Sequence, residues 1–338
     1  MLILMQAAAT AEQVEEVKRR VAERGFDAVE MPGTDRTAIG ILGTNPAATL
    51  MDLVLGLPGV KDAYAVSKPY KLVSREFHPA STTIHIGNVG IGSDSFCVIA
   101  GPCAVENEAQ LLETAEAVKV GGAHVLRGGA YKPRTSPYSF RGMAVDGLRI
   151  LAEARRRFGM PVVTEVLDPG DVSTVVEYAD ILQIGARNMQ NQPLLEEVGR
   201  SQRPVLLKRA MSATIEEWLL SAEYVLNQGN PNVILCERGI RTFETYTRNT
   251  LDLSAVPAVH ELSHLPIIVD PSHGTGRWSL IASMAMASLA AGADGIMVEV
   301  HVSPSRALSD GVQSLKPSRF ADLVSHLAQV APFFARQL

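Results

Sequence analysis

A repeat of short apolar runs, each followed by a segment long enough for a helix, dominates the chain from Phe96 to its end. The repeat occurs eight times, and the runs are almost wholly aliphatic. Strands buried on both faces of a parallel sheet have this composition, and eight strand–helix units that close on themselves form a (β/α)8 barrel. The predicted strands cover residues 97–100, 124–126, 161–164, 181–184, 205–207, 233–235, 267–269 and 295–298.

The alternative α/β architecture for this repeat is a doubly wound open sheet. A barrel is favoured because a final helix is predicted at 319–334, after the eighth strand, as closure requires. In addition, no Gly-x-Gly-x-x-Gly turn, which is typical of dinucleotide-binding open sheets, follows the first strand. The sequence therefore predicts a TIM barrel.

The N-terminal residues have a different pattern, with elements in the order β-α-β-β-α-β. Thr10 and Gln13 have the spacing of a capping box at the start of the first helix. This order predicts a small ferredoxin-like domain at 1–66, with an accessory or regulatory role because it contains no cluster of catalytic residue types. A linker is predicted at 67–80, and the barrel domain at 81–338 is expected to open with a hairpin around Gly87-Asn88.

Composition limits the classes of function that the chain can serve. A formal net charge of -5 argues against a general nucleic-acid binder and gives no reason to expect an anionic membrane partner. The longest weakly polar run, 280–291, falls short of the roughly 20 residues that a membrane span needs. Because three cysteines cannot all pair and no basic signal-peptide segment opens the sequence, we expect a cytoplasmic protein.

Polar residues follow all eight predicted strands. A TIM barrel carries its active site at the C-terminal ends of its strands, so these residues are expected to converge. Like charges gathered there would repel by roughly 1–4 kcal/mol per close pair, which implies a doubly anionic ligand or two phosphorylated ones. The cations are Arg127, Lys132, Arg134, Arg187, Lys208 and Arg238.

A second group at the strand ends combines one thiol, one imidazole and two carboxyl groups. Together these donors can bind a divalent transition metal ion, and the sulfur argues against Mg²⁺ or Ca²⁺. Mn²⁺, Fe²⁺, Co²⁺ and Zn²⁺ all remain candidates for a single ion in each subunit. The residues are Cys103, His273, Glu299 and, in the loop after the eighth strand, Asp310.

Six segments carry a likeness to a known enzyme family. They are Gly101-Pro-Cys-Ala-Val-Glu106, Leu126-Arg-Gly-Gly-Ala-Tyr-Lys-Pro-Arg-Thr-Ser136, Ile184-Gly-Ala-Arg187, Cys236-Glu-Arg-Gly239, Val269-Asp-Pro-Ser-His273 and Met297-Val-Glu-Val-His301. In this order they resemble the type I beta branch of the 3-deoxy-D-arabino-heptulosonate 7-phosphate (DAHP) synthases. The resemblance implies condensation of phosphoenolpyruvate with erythrose 4-phosphate, the entry step of the shikimate pathway. One departure is Val302, where relatives often carry proline.

The resemblance also implies roles for single residues. It makes Cys103, His273, Glu299 and Asp310 the metal ligands. Arg127, Lys132, Arg187, Lys208 and Arg238 would hold phosphoenolpyruvate, with Ala186 also in the substrate site, and Arg134 with Thr135 would hold the aldose phosphate.

Two further roles follow from placement beside the metal and phosphate groups. Lys132 is the candidate for delivering a proton to the nascent alkoxide, and Glu165 is the candidate for orienting the attacking water. With Cys103 and His273 at the metal, these residues form the predicted catalytic set.

Two other functions remain alternatives at this point. The sibling 3-deoxy-D-manno-octulosonate 8-phosphate synthases usually read Lys-Ala-Asn-Arg in the second loop, whereas here Lys132 is followed by Pro133-Arg134, which favours the four-carbon aldose. A catalytically silent sensor of phosphorylated metabolites would not need the metal donors. Relatives with a ferredoxin-like domain use it for feedback inhibition by tyrosine or phenylalanine, and the resemblance suggests a homotetramer.

Overall fold

The computed structural model describes residues 1–32, 37–43, 46–65, 68–133 and 138–338. It divides into two compact units, Met1–Pro79 and Ala80–Leu338. The barrel domain predicted from residue 81 lies within the second unit, and the linker at 67–80 stays a prediction.

The first unit contains a four-stranded antiparallel sheet and two helices. Its elements are β1 (Leu2–Met5), α1 (Ala11–Ala22), β2 (Asp27–Pro32), β3 (Thr37–Leu42), α2 (Pro46–Leu55) and β4 (Val60–Tyr64). The strand order β2-β3-β1-β4 is the ferredoxin-like arrangement. Helix α1 begins at the predicted capping box, in which the side chains of Thr10 and Gln13 each accept from the other's backbone N–H. The predicted small domain is therefore confirmed.

A β-hairpin opens the second unit, as the sequence predicts. Strands β5 (Ile84–Ile86) and β6 (Val89–Ile91) pair antiparallel around a turn in which Gly87 has a φ of +60°, a conformation that favours glycine. Ile84, Ile86 and Ile91 are buried against the interior of the barrel.

Eight parallel strands close into a barrel in the second unit. They are β7 (Cys97–Gly101), β8 (Val125–Arg127), β9 (Val162–Glu165), β10 (Ile181–Ile184), β11 (Val205–Lys208), β12 (Val233–Glu237), β13 (Ile267–Val269) and β14 (Gly295–Glu299). The barrel closes because β14 pairs in parallel with β7 along the full length of both strands. This closure confirms the predicted TIM barrel and excludes the open sheet.

Strand limits differ from the predicted ones in a consistent direction. Five strands run on to include a charged residue that follows the apolar run, as β11 does with Lys208 and β14 with Glu299. Conversely, β8 begins at Val125 and not at His124, whose Nδ1 accepts a hydrogen bond from the backbone N–H of Val98. The apolar pattern locates each strand, but backbone pairing continues into the charged site.

Helices separate the strands of the barrel. They are α3 (Glu108–Val120), α4 (Ala144–Phe158), α5 (Val172–Tyr178), α6 (Gln192–Arg200), α7 (Ile215–Leu226), α8 (Ala255–Leu262), α9 (Pro271–Thr275), α10 (Trp278–Ala290) and α11 (Pro317–Val330). The last helix starts before the predicted residue 319 because Pro317 suits the first turn, and a 3-10 turn, Ala331–Phe334, replaces its predicted end. No helix in the described parts of the chain is long and apolar enough to cross a membrane.

Candidate active site

A cavity of about 320 Å³ opens at the C-terminal ends of the barrel strands. Of the predicted site residues, it is lined by Arg127, Lys132, Glu165, Ala186, Arg187, Lys208, Arg238, His273 and Asp310. Cys103 and Glu299 are buried directly beside these residues. Arg134 and Thr135 lie outside the described residues. The structure thus brings the predicted phosphate-binding and metal-binding groups to one place.

Two arginines present unpaired donors in this region. Arg127 is buried, and its Nη2 lies 3.2 Å from Glu299 Oε1, but its Nε and Nη1 have no hydrogen-bond partner. Arg238 is also buried, with Nη1 unpartnered. A buried hydrogen-bond donor that is left unpaired costs roughly 1–3 kcal/mol, and a charged donor costs more. An anion in the cavity would remove this cost by accepting those hydrogen bonds.

A buried ion-pair network connects the cations to the imidazole. Asp270 Oδ2 lies 2.5 Å from Lys208 Nζ and 2.7 Å from His273 Nδ1. Burial alone would raise the pKa of the Asp270 carboxyl, but His273 and Lys208 hold that pKa well below its usual range. Burial lowers the pKa of His273 to about 4, so its imidazole is neutral and donates from Nδ1 to Asp270. Its Nε2 is then left as an electron-pair donor, 3.4 Å from Glu299 Oε1.

Three of the four predicted metal ligands form a compact donor group. One ligand atom each of Cys103, Glu299 and Asp310 lies within 4.8 Å of the other two. The Cys103 thiol donates to Asp310 Oδ2 over 3.1 Å, and burial raises the pKa of this thiol to about 12. His273 is not within this mutual distance of all three, although its Nε2 adjoins Glu299. Glu299 Oε1 is buried without a hydrogen-bond partner, which fits a carboxylate oxygen available to a metal ion.

Asp310 is held in place by charge and by its backbone. Burial alone would raise its pKa, but Arg248 and the Cys103 thiol lower the pKa of this carboxyl to about 2, so it is ionised at neutral pH. Its φ of 53° lies in the left-handed region, which aspartate enters more readily than most residues. The carboxylate is therefore held in place as a negatively charged group that can donate an electron pair to a metal ion.

Lys132 and Glu165, the two residues with predicted roles in proton transfer and water orientation, both line the cavity. Lys132 Nζ donates to the backbone carbonyl of Cys103 over 3.1 Å, which places the ammonium beside the donor group. Glu165 Oε2 accepts from Gln183 Nε2 over 3.3 Å, and burial raises the pKa of this carboxyl. Gly185 allows the close approach of Glu165, because a Cβ there would lie 2.0 Å from Glu165 Oε1.

Family models match nearly the whole chain. The model described as the DAHP synthetase I family matches residues 74–333, and the one described as the DAHP synthase ferredoxin-like domain matches residues 1–68. The chain belongs to the DAHP synthetase I family. The predicted family and the expectation of an enzyme, a DAHP synthase, are thereby confirmed, and the alternative of a silent sensor is not favoured.

The relatives that match nearly the full chain agree with that assignment. The chain is 51% identical over 331 residues to a phospho-2-dehydro-3-deoxyheptonate aldolase of Thermotoga maritima, covering 98% of each sequence. The crystal structure of a DAHP synthase from T. maritima superposes with a TM-score of 0.79 at 50% identity, covering 99% of this chain and 98% of that one. A 2-dehydro-3-deoxyphosphooctonate aldolase of Syntrophobacter fumaroxidans is 34% identical, over 71% of this chain and 88% of that protein.

Sequence reasoning missed three polar residues of the DAHP synthase site. Asp270 directly follows β13, and this position is the signal that points to it as well as to His273. Arg248 and Gln313 gave no such signal, since Arg248 lies in the long segment between β12 and α8 and Gln313 ends a 3-10 turn, Gly311–Gln313. Both contact the predicted ligands, Arg248 through Asp310 and Gln313 through Glu299.

Proposed function

We propose that this protein condenses phosphoenolpyruvate with erythrose 4-phosphate and water, releasing DAHP and phosphate, as the first step of the shikimate pathway. The observation that carries the proposal is the juxtaposition, in one cavity, of buried guanidinium groups with unpaired donors and a thiol–carboxylate donor group. The guanidinium groups match two phosphorylated, anionic substrates. The thiol–carboxylate group matches a metal-dependent reaction.

The cations supply the proposed phosphoenolpyruvate site. Arg127 and Arg238 have the unpaired donors that a phosphate and a carboxylate would accept. The same cavity is also lined by Lys132, Arg187 and Lys208. These residues add positive charge to the site. Ala186 adjoins Arg187 in the lining. The aldose phosphate would be held by Arg134 and Thr135. This role rests on the family motif, since both residues lie outside the described residues.

The donor group supports one divalent transition metal ion per subunit. Cys103, Glu299 and Asp310 would hold the ion, with the Nε2 of His273 completing the set. Sulfur, nitrogen and carboxylate oxygen together suit Mn²⁺, Fe²⁺, Co²⁺ or Zn²⁺ better than Mg²⁺. When bound, the ion would act as a Lewis acid on the aldehyde oxygen of the aldose.

The chain's own groups would then position the substrates and move the proton. C3 of phosphoenolpyruvate forms the new bond to the aldehyde carbon, and Lys132 gives a proton to the resulting alkoxide. Glu165 orients the water that adds to C2, which has gained positive character, and phosphate then leaves from C2 with its bridging oxygen. The guanidinium groups keep both substrates in line and balance the charge of the departing phosphate.

The experiment that tests this function compares two aldoses. Phosphate release from phosphoenolpyruvate is measured with erythrose 4-phosphate and with arabinose 5-phosphate, each with and without a chelator and after addition of each candidate metal. Turnover with erythrose 4-phosphate that disappears with the chelator supports the proposal. A preference for arabinose 5-phosphate, or turnover that is unchanged by the chelator, contradicts it.

The ferredoxin-like unit is proposed to bind a feedback inhibitor, tyrosine or phenylalanine. Support comes from the match of residues 1–68 to a domain that accompanies DAHP synthases. Inhibition by one of these amino acids, with tryptophan as the comparison, tests the assignment on the intact chain. The proposed cytoplasmic homotetramer is tested by sedimentation of the same protein.

A further inference from the structure

Gln313 forms a bridge between Arg248 and Glu299. Arg248 Nη1 donates to Gln313 Oε1 over 2.7 Å, and Gln313 Nε2 donates to Glu299 Oε2 over 2.7 Å. Gln313 is 3% exposed and Glu299 is fully buried, so water does not compete for these bonds. The bridge connects a guanidinium of the cavity lining to a carboxylate of the donor group.

The chemistry of its two neighbours fixes the orientation of the Gln313 amide. A guanidinium can only donate hydrogen bonds, and an ionised carboxylate can only accept them. The amide oxygen must therefore face Arg248 and the amide nitrogen must face Glu299. A flipped amide would set donor against donor at one end and acceptor against acceptor at the other.

This orientation divides the two oxygens of Glu299 between two roles. Oε2 accepts from Gln313, whereas Oε1 is buried without a hydrogen-bond partner, 3.2 Å from Arg127 Nη2 and 3.4 Å from His273 Nε2. The backbone N–H of Glu299 is bonded to Ser272 Oγ, which limits movement of the residue. One oxygen is thus held in place, and the other forms no hydrogen bond that a metal ion would have to displace.

Arg248 acts on the second carboxylate in the same way. The same Nη1 lies 3.2 Å from Asp310 Oδ1, while Asp310 Oδ2 accepts from the Cys103 thiol. A single guanidinium nitrogen therefore contacts Asp310 directly and reaches Glu299 through Gln313. Neither Arg248 nor Gln313 belongs to the donor group itself.

We infer that Gln313 and Arg248 are positioning residues that hold Glu299 and Asp310 each as a one-oxygen ligand for the divalent transition metal ion. The inference rests on the metal site of the proposed function. Groups that orient metal ligands typically change metal affinity by about 10- to 100-fold when removed. We expect an effect of this size for Gln313→Met, which keeps the side-chain length and removes both hydrogen bonds.

Titration of the metal-free protein with Co²⁺ tests the inference without any measurement of turnover. Absorbance from a Cys103 thiolate bound to Co²⁺ reports occupancy, and competition with Mn²⁺ gives a second affinity. Gln183→Met is the matched control, because it removes another buried Gln–Glu hydrogen bond, to Glu165, at the same end of the barrel. Gln313→Met should weaken Co²⁺ binding about 10- to 100-fold, and Gln183→Met by no more than about twofold.

Arg248 variants extend the test and protect it against a misfolded Gln313→Met protein. Arg248→Met should weaken Co²⁺ binding about tenfold, whereas Arg248→Lys, which can still only donate, should weaken it less. Binding of Co²⁺ within about twofold of wild type by both Gln313→Met and Arg248→Met would overturn the inference. Wild-type protein that shows no thiolate absorbance with Co²⁺ would instead refute the metal site on which the inference rests.

Discussion

The two ends of the barrel are built from the same eight strands but differ in how their polar groups are paired. At the N-terminal end, Ile84, Ile86 and Ile91 of the hairpin pack against the barrel interior. The buried Asp294 there is matched by Arg336, which lies 3.0 Å away and also donates to the carbonyl of Gly292. At the C-terminal end, by contrast, charged groups are buried and incompletely paired.

Unpaired polar atoms distinguish the two ends better than burial does. Among the described residues, the buried side-chain nitrogen and oxygen atoms without a hydrogen-bond partner belong to residues that end or closely follow a barrel strand, except for Gln110 in the first turn of α3. They occur in Gln110, Arg127, Arg238, Glu299 and His301. Each such atom costs about 1–3 kcal/mol, and those of Arg127 and Arg238 lie in the lining of the cavity, where a ligand would complete the bonding. We therefore expect the N-terminal end to serve stability and the C-terminal end to serve chemistry.

The largest difference in kcat is expected between variants of two buried cysteines, one at the start of β7 and one just after its end. Cys103→Ala removes a proposed metal ligand and should lower kcat about 1000-fold or more, since Lewis-acid catalysis is worth several kcal/mol. Cys97→Ala, at the start of the same strand, should keep kcat within about twofold, because its thiol only packs in the core. Phosphate release measures both. Equal losses would show that the ends do not differ in function.

Lys132→Ala tests the proton transfer proposed for the C-terminal end. Loss of a general acid typically lowers kcat by about 100- to 10,000-fold, and this range is expected because Lys132 Nζ adjoins the donor group. Turnover under saturating substrates and metal gives kcat, and the Co²⁺ affinity shows whether the metal site is intact. Near-native turnover would assign proton delivery to another group.

Substitution of two arginines distinguishes a role in substrate binding from a role in stabilising the fold. Arg238→Ala removes an unpaired donor and should lower kcat/KM for phosphoenolpyruvate by about 10- to 100-fold, mainly through KM. Arg336→Ala removes the partner of Asp294, so it should lower the melting temperature and leave KM unchanged. A raised KM in Arg336→Ala would mean that the N-terminal end also controls substrate binding.

The sequence predicted the site residues at the strand ends more fully than those that come from the loops. Alternation of apolar runs with helix-length segments is a local pattern, so it located all eight strands. The end of each run then marked where a charged residue such as Arg127, Lys208 or Glu299 would converge with the others. That inference needs only the rule that parallel strands end at the same face.

Contacts between distant loops could not be predicted in this way. Arg248 and Gln313 come from segments whose paths depend on tertiary packing, and their bond joins residues 65 positions apart. Neither lies at a strand end, and neither residue type is unusual in a loop. The same limit applies to His124, which precedes β8 and accepts a hydrogen bond from the backbone N–H of Val98, a contact that the local pattern does not show.

The smallest effect on activity is expected from the hairpin at the N-terminal end. Ile84→Ala leaves a cavity under the barrel and should destabilise the protein by about 2–5 kcal/mol, because Ile84 is fully buried. The melting temperature, followed by circular dichroism, should fall by roughly 5–15 °C. Val89→Ala, at a partly buried position of the same hairpin, should cost less. Well below the melting temperature, kcat and KM of both variants should match the wild type, since no hairpin residue lines the cavity. A tenfold loss of kcat in the folded Ile84→Ala protein would show that packing at one end sets the geometry at the other.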